Sequence, residues 1–349
     1  MVTGDQVVQT FRALLGRDPE SQAVVQELTK HNDLETLISA VANSPERETI
    51  NKIGPFWNYT ASFDLIATVL RHENKNRSFV EGHRVNYLGT AVNVSKFCPD
   101  LNLENIVEPP ILPANWHTDI AEIAAALRAV ELADQKFTMM ELGCGWGCWM
   151  NITGRAARAL GKTPHLIGVE ADSGHIEFAN ESMQTNGFRV DQYTLYRGIA
   201  AAYDGFAYFP KQERSGVQWG LSPIFNPTEE QLERLKAGGS FDELPMISLA
   251  RAATVAPDQK CDLLHIDIQG GEADLIEQSQ EFLSKHVAYM VIGTHSRALD
   301  GKIIALLNNS ETWELEVERP TLFTIRNGKM NTYVDGVQGW RNRQLTRDS

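Results

Sequence analysis

Apolar positions recur at helical spacing near the start of the chain. In VVQTFRALLG, Val7, Val8, Phe11, Leu14 and Leu15 fall on one face. Gly16 can end that helix, and Asp18-Pro19 can open the next, which carries Val24, Val25 and Leu28. DLETLISAVANSPE supplies a third helix. Residues 51–115 are less regular: SFDLIATVLRHEN reads as helix, and HRVNYLGTAV mixes strand and turn signals. CPDLNLENIVEPPILPANW, rich in Asn and Pro, reads as a surface loop.

From residue 117 onward, strand and helix patterns alternate. The predicted strands are KFTMMEL, HLIGVEA, YTLYRGIAA, CDLLHIDI and VAYMVIG, with WELEVE and TLFTIRNG closing the chain as a hairpin turned at Arg319-Pro320. Helices are predicted in DIAEIAAALRAVELA, WMNITGRAARALG, SGHIEFANESMQTNG and EADLIEQSQEFLSK. Alternation on this scale predicts an α/β fold: a doubly wound, mostly parallel, seven-stranded Rossmann-like sheet. The expected organisation is a small helical module over 1–50, a linker and entrance segment over 51–115, and an α/β domain over 116–349.

Composition narrows the function. The 349 residues are 42% hydrophobic and 22% charged, which suits a globular protein with a sizeable core. A net charge of -13 argues against an electrostatic grip on nucleic acid. No secretion signal and no membrane span are read in the chain, so a cytoplasmic location is expected. Cys98, Cys144, Cys148 and Cys261 show no disulfide spacing. Cys144 and Cys148 are separated like a metal pair, but no second Cys/His pair completes a zinc site. Reduced, structural thiols are expected.

MMELGCGWGCWM lies where the first strand of this domain meets its first helix. Gly143, Gly145 and Gly147 permit a tight turn and a close backbone approach to a ligand, and the free amides of a helix start can hold a carboxylate. A dinucleotide loop would want glycine where Cys148 stands. LIGVEAD then ends the second strand in Glu170, where a carboxylate can hold ribose hydroxyls; the alternative is Asp172 capping a helix beside a solvated Glu170.

The spacing E-x-G-x-G-x-G resembles that of class I S-adenosylmethionine-dependent methyltransferases. That likeness implies S-adenosylmethionine as cofactor, held by Glu141, Gly143, Cys144, Gly145, Trp146, Gly147, Glu170, Ala171, Asp172, Ile199 and Asp267, with Glu141 near the methionine amino group.

Ligands of open parallel sheets bind at the carboxyl ends of the strands. Asp267 ends the fourth strand, and VIGTHS ends the fifth, so Thr294 and His295 should lie next to Asp267, and Asp267, Glu272 and His295 should converge. His265 lies mid-strand and reads as a satisfied core histidine. LLHIDIQGGEADL followed by MVIGTHS is similar to the FkbM-type methyltransferases, whose usual pattern is K-I-D-V-E-G-x-E and a later E-T-H. The resemblance covers about residues 117–325, including SLARAATVAP before the fourth strand. His265, Gln269 and Gly293 depart from the pattern, replacing Lys, Glu and Glu. The family implies methyl transfer to a hydroxyl of a carbohydrate or glycosylated small molecule.

In that reading His295 is the general base, with Asp267 orienting it or acting as base itself, and Glu272 holding an acceptor hydroxyl. A divalent cation on Asp267 and His295 is the alternative, but hard cations want more oxygen ligands than this pattern names, so no metal is expected. Tyr208 and Trp219, in the long connection over 203–247, could stack on the acceptor, and His117 and Gln269 could face it. Other readings are methylation of a small-molecule carboxyl or amine, or a silent cofactor-binding protein docked in glycan assembly. FRALLGRDPE and NSPE resemble a short helical module attached to bacterial glycan-related proteins, offering a surface for docking or homo-oligomerisation.

Overall fold

The computed structural model describes residues 2–15, 17–46, 54–98, 101 and 103–346. These fall into two compact units that divide between Asn58 and Tyr59.

The first unit holds helices Gly4–Leu15, Gln22–Leu28 and Leu34–Ala42. Val7, Phe11 and Leu15 bury their side chains with Leu37 and Val41, the stripe that the helical spacing predicts. The second helix opens at Ser21 rather than at Asp18-Pro19. Ser21 is the N-cap and accepts from Val24 N, while Asp18 is drawn into an ion pair with Arg12. Gly16, the expected end of the first helix, lies outside the described residues.

The second unit opens with β1 (Thr60–Ala61) and a helix, Leu65–Arg71. The irregular stretch that follows contributes β2 (Arg84–Val85), β3 (Ala91–Val92) and β4 (Ile106–Val107), a small sheet of their own. β5 (Lys136–Leu142), β6 (Thr163–Glu170) and β7 (Tyr193–Arg197) alternate with helices Cys148–Ala159 and Ser173–Thr185. β8 (Ile199–Ala201), β9 (Gly205–Pro210) and β10 (Phe241–Ser248) build a second sheet. The long connection is therefore structured, with helix Glu229–Gly238 between β9 and β10.

β11 (Leu263–Ile266) and β12 (Tyr289–Thr294) complete the parallel set. β13 (Trp313–Arg319), β14 (Leu322–Arg326), β15 (Lys329–Val334) and β16 (Gly336–Asn342) follow. The main sheet runs β1-β13-β16-β12-β11-β5-β6-β7. Its fold class is the α/β, mostly parallel sheet expected from the alternation, with two-residue β1 as an added edge.

The closing hairpin is not as expected. WELEVE pairs with β16, and TLFTIRNG pairs with β15 in a separate two-stranded ribbon. β16 inserts antiparallel between β12 and β13, every residue of it buried.

Helix Ile120–Leu132 packs an alanine-rich face on one side of the sheet, and helices Glu272–Gln278 and Arg297–Leu307 cover the other. Both faces of β5 are thus covered, which is why its sequence is a nearly continuous apolar run. Burying a side chain such as Phe137 or Met139 contributes about 1.5–3 kcal/mol. That rigid core fixes where the strand ends, and the loops beyond them, stand.

Candidate active site

The loop after β5 has three glycines at positive φ: Gly143 at 74°, Gly145 at 49° and Gly147 at 74°. A Cβ on Gly143 would stand 2.1 Å from the Asp267 carbonyl oxygen, so the loop and the end of β11 touch backbone to backbone. Glu141 is buried beneath this loop and accepts from Trp149 N at 3.2 Å and Met150 N at 2.9 Å. Burial pushes its carboxyl up to about 7, with His265 and those amides pulling the other way. Glu141 thus anchors the start of helix Cys148–Ala159. Cys144 is buried, and burial pushes its thiol up. Trp146 stacks on Phe97 and Trp116, with centroids 5.8 and 6.5 Å away.

Glu170 ties the two cofactor motifs together. One of its oxygens accepts from Gly145 N at 2.9 Å and the other from Asp172 N at 2.8 Å. Each oxygen retains a lone pair for a further donor. Asp172 caps helix Ser173–Thr185, accepting from Gly174 N at 2.7 Å and His175 N at 3.2 Å. Burial would raise its carboxyl, but hydrogen bonds from Ser215 and the Gly216 amide hold it below the usual carboxylate range. Ala171 and Ile199 pack into the core of the second sheet.

At the ends of β11 and β12 three residues converge as the spacing predicts. His295 Nε2 lies 3.3 Å from Asp267 Oδ1, and its Nδ1 lies 3.4 Å from Glu272 Oε1. Glu272 is fully buried, and its carboxylate accepts from Ile268 N at 3.0 Å and from Gly270 N at 3.1 and 3.0 Å. Gln269, at φ 59°, donates to Asp267 Oδ1 at 3.0 Å. Burial works against a charged His295, but Asp267 and Glu272 together raise its pKa to about 10. Asp267 itself is held below its ordinary value, burial being outweighed by His295.

The three offer metal-ligand atoms within 4.8 Å of one another. The imidazole bridges the carboxylates, one nitrogen toward each.

No family model matches the chain. A "Putative methyltransferase" of Jannaschia sp. (strain CCS1) is 40% identical over 254 residues, which cover 72% of this chain and 89% of that protein. The chain belongs to this methyltransferase family. Similar solved structures include precorrin-6y C5,15-methyltransferase from Geobacter metallireducens GS-15, at 12% identity and TM-score 0.34 over 64% of this chain and 90% of that one. Cofactor-bound Rv0187 from MTB is 14% identical with TM-score 0.36, over 66% and 83%. An rRNA methylase from Streptococcus thermophilus is 7% identical with TM-score 0.34, over 62% and 93%. At such scores the family rests on the Jannaschia relative.

The remaining residues of the methyltransferase divide. His117 lies 3.6 Å from Cys148 Sγ and edge-on to Trp116; burial, aided by Arg84, pushes its pKa down to about 3, so its imidazole stays neutral. Tyr208 donates to Glu243 within the second sheet. Trp219 lies across Gly145, where a Cβ would come 2.8 Å from its ring. His265 is a core residue paired with Glu122 at 3.0 Å and stacked on Trp149.

Sequence reasoning missed Glu122 and Asp335. Glu122 sits three residues past the helix cap Asp119 and, besides His265, accepts from Thr118 Oγ1 at 2.9 Å. Asp335, just before β16, feels His295 and Asp267, and burial lifts its carboxyl. The capping pattern of the helix could have located Glu122. Asp335 carried no local signal, because β16 was not recognisable as a strand.

Proposed function

We propose that this S-adenosylmethionine-dependent methyltransferase is of the FkbM type and methylates a hydroxyl of a carbohydrate or glycosylated small molecule. The observation that carries the reading is His295, held between Asp267 and Glu272 beside the glycine loop. The residues fit the cofactor: the loop has the backbone curvature for close approach, and Glu170 keeps acceptor capacity for ribose hydroxyls. S-adenosylmethionine supplies, when bound, a methyl group activated by a sulfonium.

His295 is placed to take the proton of the acceptor hydroxyl. With its pKa near 10 it carries a proton in the resting protein at neutral pH. Asp267 is two-fifths exposed, and its hold on that proton would loosen beside the cofactor's sulfonium. Glu272, pinned by backbone amides, keeps the imidazole oriented. The three residues offer fewer ligand atoms than a hard cation takes, so we expect the reaction to need no metal.

The test is labelled methyl transfer into a panel of nucleotide sugars, glycans, glycosylated metabolites and transfer RNA, with and without chelator. An alkali-stable methyl ether on a sugar, formed equally with chelator and reduced about 10²–10⁴-fold by His295→Ala, is the expected result. An alkali-labile ester, a methylated amine or labelled RNA would replace the acceptor class. Loss of activity in chelator would overturn the metal-free assignment.

A further inference from the structure

The segment over 211–228, between β9 and helix Glu229–Gly238, crosses the ends of three strands of the main sheet. Near β6, Ser215 Oγ donates to Asp172 Oδ1 at 2.6 Å and accepts from Gly174 N at 2.7 Å. The two backbones touch there. A Cβ on Gly174 would lie 2.7 Å from Gly216 N, and one on Gly216, at φ 79°, would lie 2.5 Å from the Phe178 ring. Four residues after Ser215, the Trp219 indole stacks on His175 with centroids 4.0 Å apart and planes 25° apart. The same indole meets the edge of Phe97 at 5.9 Å and lies over Gly145. Beyond β11, Ser222 Oγ donates to the Gln269 carbonyl at 3.2 Å.

Glu170 adjoins this stack: it accepts from Gly145 N, and His175 Nδ1 is 3.9 Å from it. The flat ring therefore covers the position next to the carboxylate assigned to the ribose. We propose that 215–222 is a gate in which Trp219 occupies the place of the cofactor's nucleoside half, stacked on His175 as a purine could be, and must swing aside for the cofactor to enter. This rests on the cofactor reading of the groove. Trp219 is 45% exposed, and the surface it does bury rests on His175, Phe97 and Gly145, contacts that a bound nucleoside would replace. At Ser215 the segment is held by its hydrogen bonds with Asp172 and Gly174 and by the close packing of Gly216 on Gly174 and Phe178, and at Ser222 by one hydrogen bond to the Gln269 carbonyl; Trp219 lies on the stretch between these two anchors. A closed state that competes with ligand reduces apparent affinity by the fraction of protein held closed.

The test compares S-adenosylhomocysteine binding to the full-length wild type, Trp219→Ala and Ser215→Ala by calorimetry and stopped-flow kinetics. Removing the indole should tighten binding about three- to tenfold, as expected for one aromatic stack. The wild-type association rate should level off at high ligand, set by gate opening, and should rise linearly in Trp219→Ala. Ser215→Ala, which removes the segment's hydrogen bonds with Asp172 and Gly174 but keeps the indole, should move the same way by less. Weaker binding by Trp219→Ala would make the indole a wall of the site and overturn the gate, as would unchanged affinity and kinetics in both variants. Absence of heat with all three proteins would overturn the cofactor reading itself, and the gate with it.

Discussion

At His295 two opposed effects compete, and the carboxylates win. Burial favours the neutral imidazole, yet Asp267 and Glu272 raise its pKa from 6.5 to about 10. A group whose folded-state pKa is raised holds its proton more tightly in the native protein. Its contribution to stability is fully present below pH 6.5 and is lost as pH rises through about 10. Denaturant midpoints should therefore separate wild type from His295→Ala most at pH 6.5 and least at pH 10. Asp267→Asn removes one of the two anions, so the imidazole titrates lower. The rise of kcat/KM with pH should then move toward neutrality, even as kcat falls from poorer orientation. An unmoved pH profile in Asp267→Asn would mean that His295 is not the group being titrated.

At the scale of elements, Glu141 shows a side chain whose work is to start a helix. Glu141→Ala leaves the Trp149 and Met150 amides without their acceptor at a buried helix start, at a cost of about 1–2 kcal/mol. Its raised pKa means that its contribution declines as pH rises from 4.5 through about 7. Glu141→Gln, which keeps an acceptor without the charge, should therefore compare better with wild type at pH 8 than at pH 6 in urea unfolding. The central parallel strands and the convergence of Asp267 with His295 were legible because β5, β11 and β12 are buried, largely apolar runs ending in polar loops. β16 was not legible. GVQGWRN has no alternation, and its polar side chains are satisfied individually: Gln338 donates to the Asp300 carbonyl, Arg341 pairs with Glu314 and Glu316, and Asn342 donates to the Val287 carbonyl. Tertiary partners make such a strand, and no local pattern announces them. TLFTIRNG shows the converse: it has strand propensity, but it pairs in an exposed ribbon with Ile325 and Met330 largely open to solvent.

For the whole molecule, the relevant division is between Asn58 and Tyr59. Among the described residues, the hydrophobic clusters around the main sheet contain none before Tyr59, and the first unit's cluster contains none after Val41. Each core is closed within its own stretch of chain, the condition for folding alone. A protein begun at Tyr59 also keeps β1, so the edge of β13 stays paired. It should unfold in one cooperative transition and bind S-adenosylhomocysteine with the affinity of the full chain. All the candidate cofactor and catalytic residues proposed above lie in this part. If calorimetry instead shows a folded truncated protein with weakened binding, the second unit does not bind the ligand independently of residues 1–58. If binding is equal but transfer to the natural acceptor falls, the helical unit acts in presenting the acceptor. That outcome would separate recognition of the partner from the chemistry at His295.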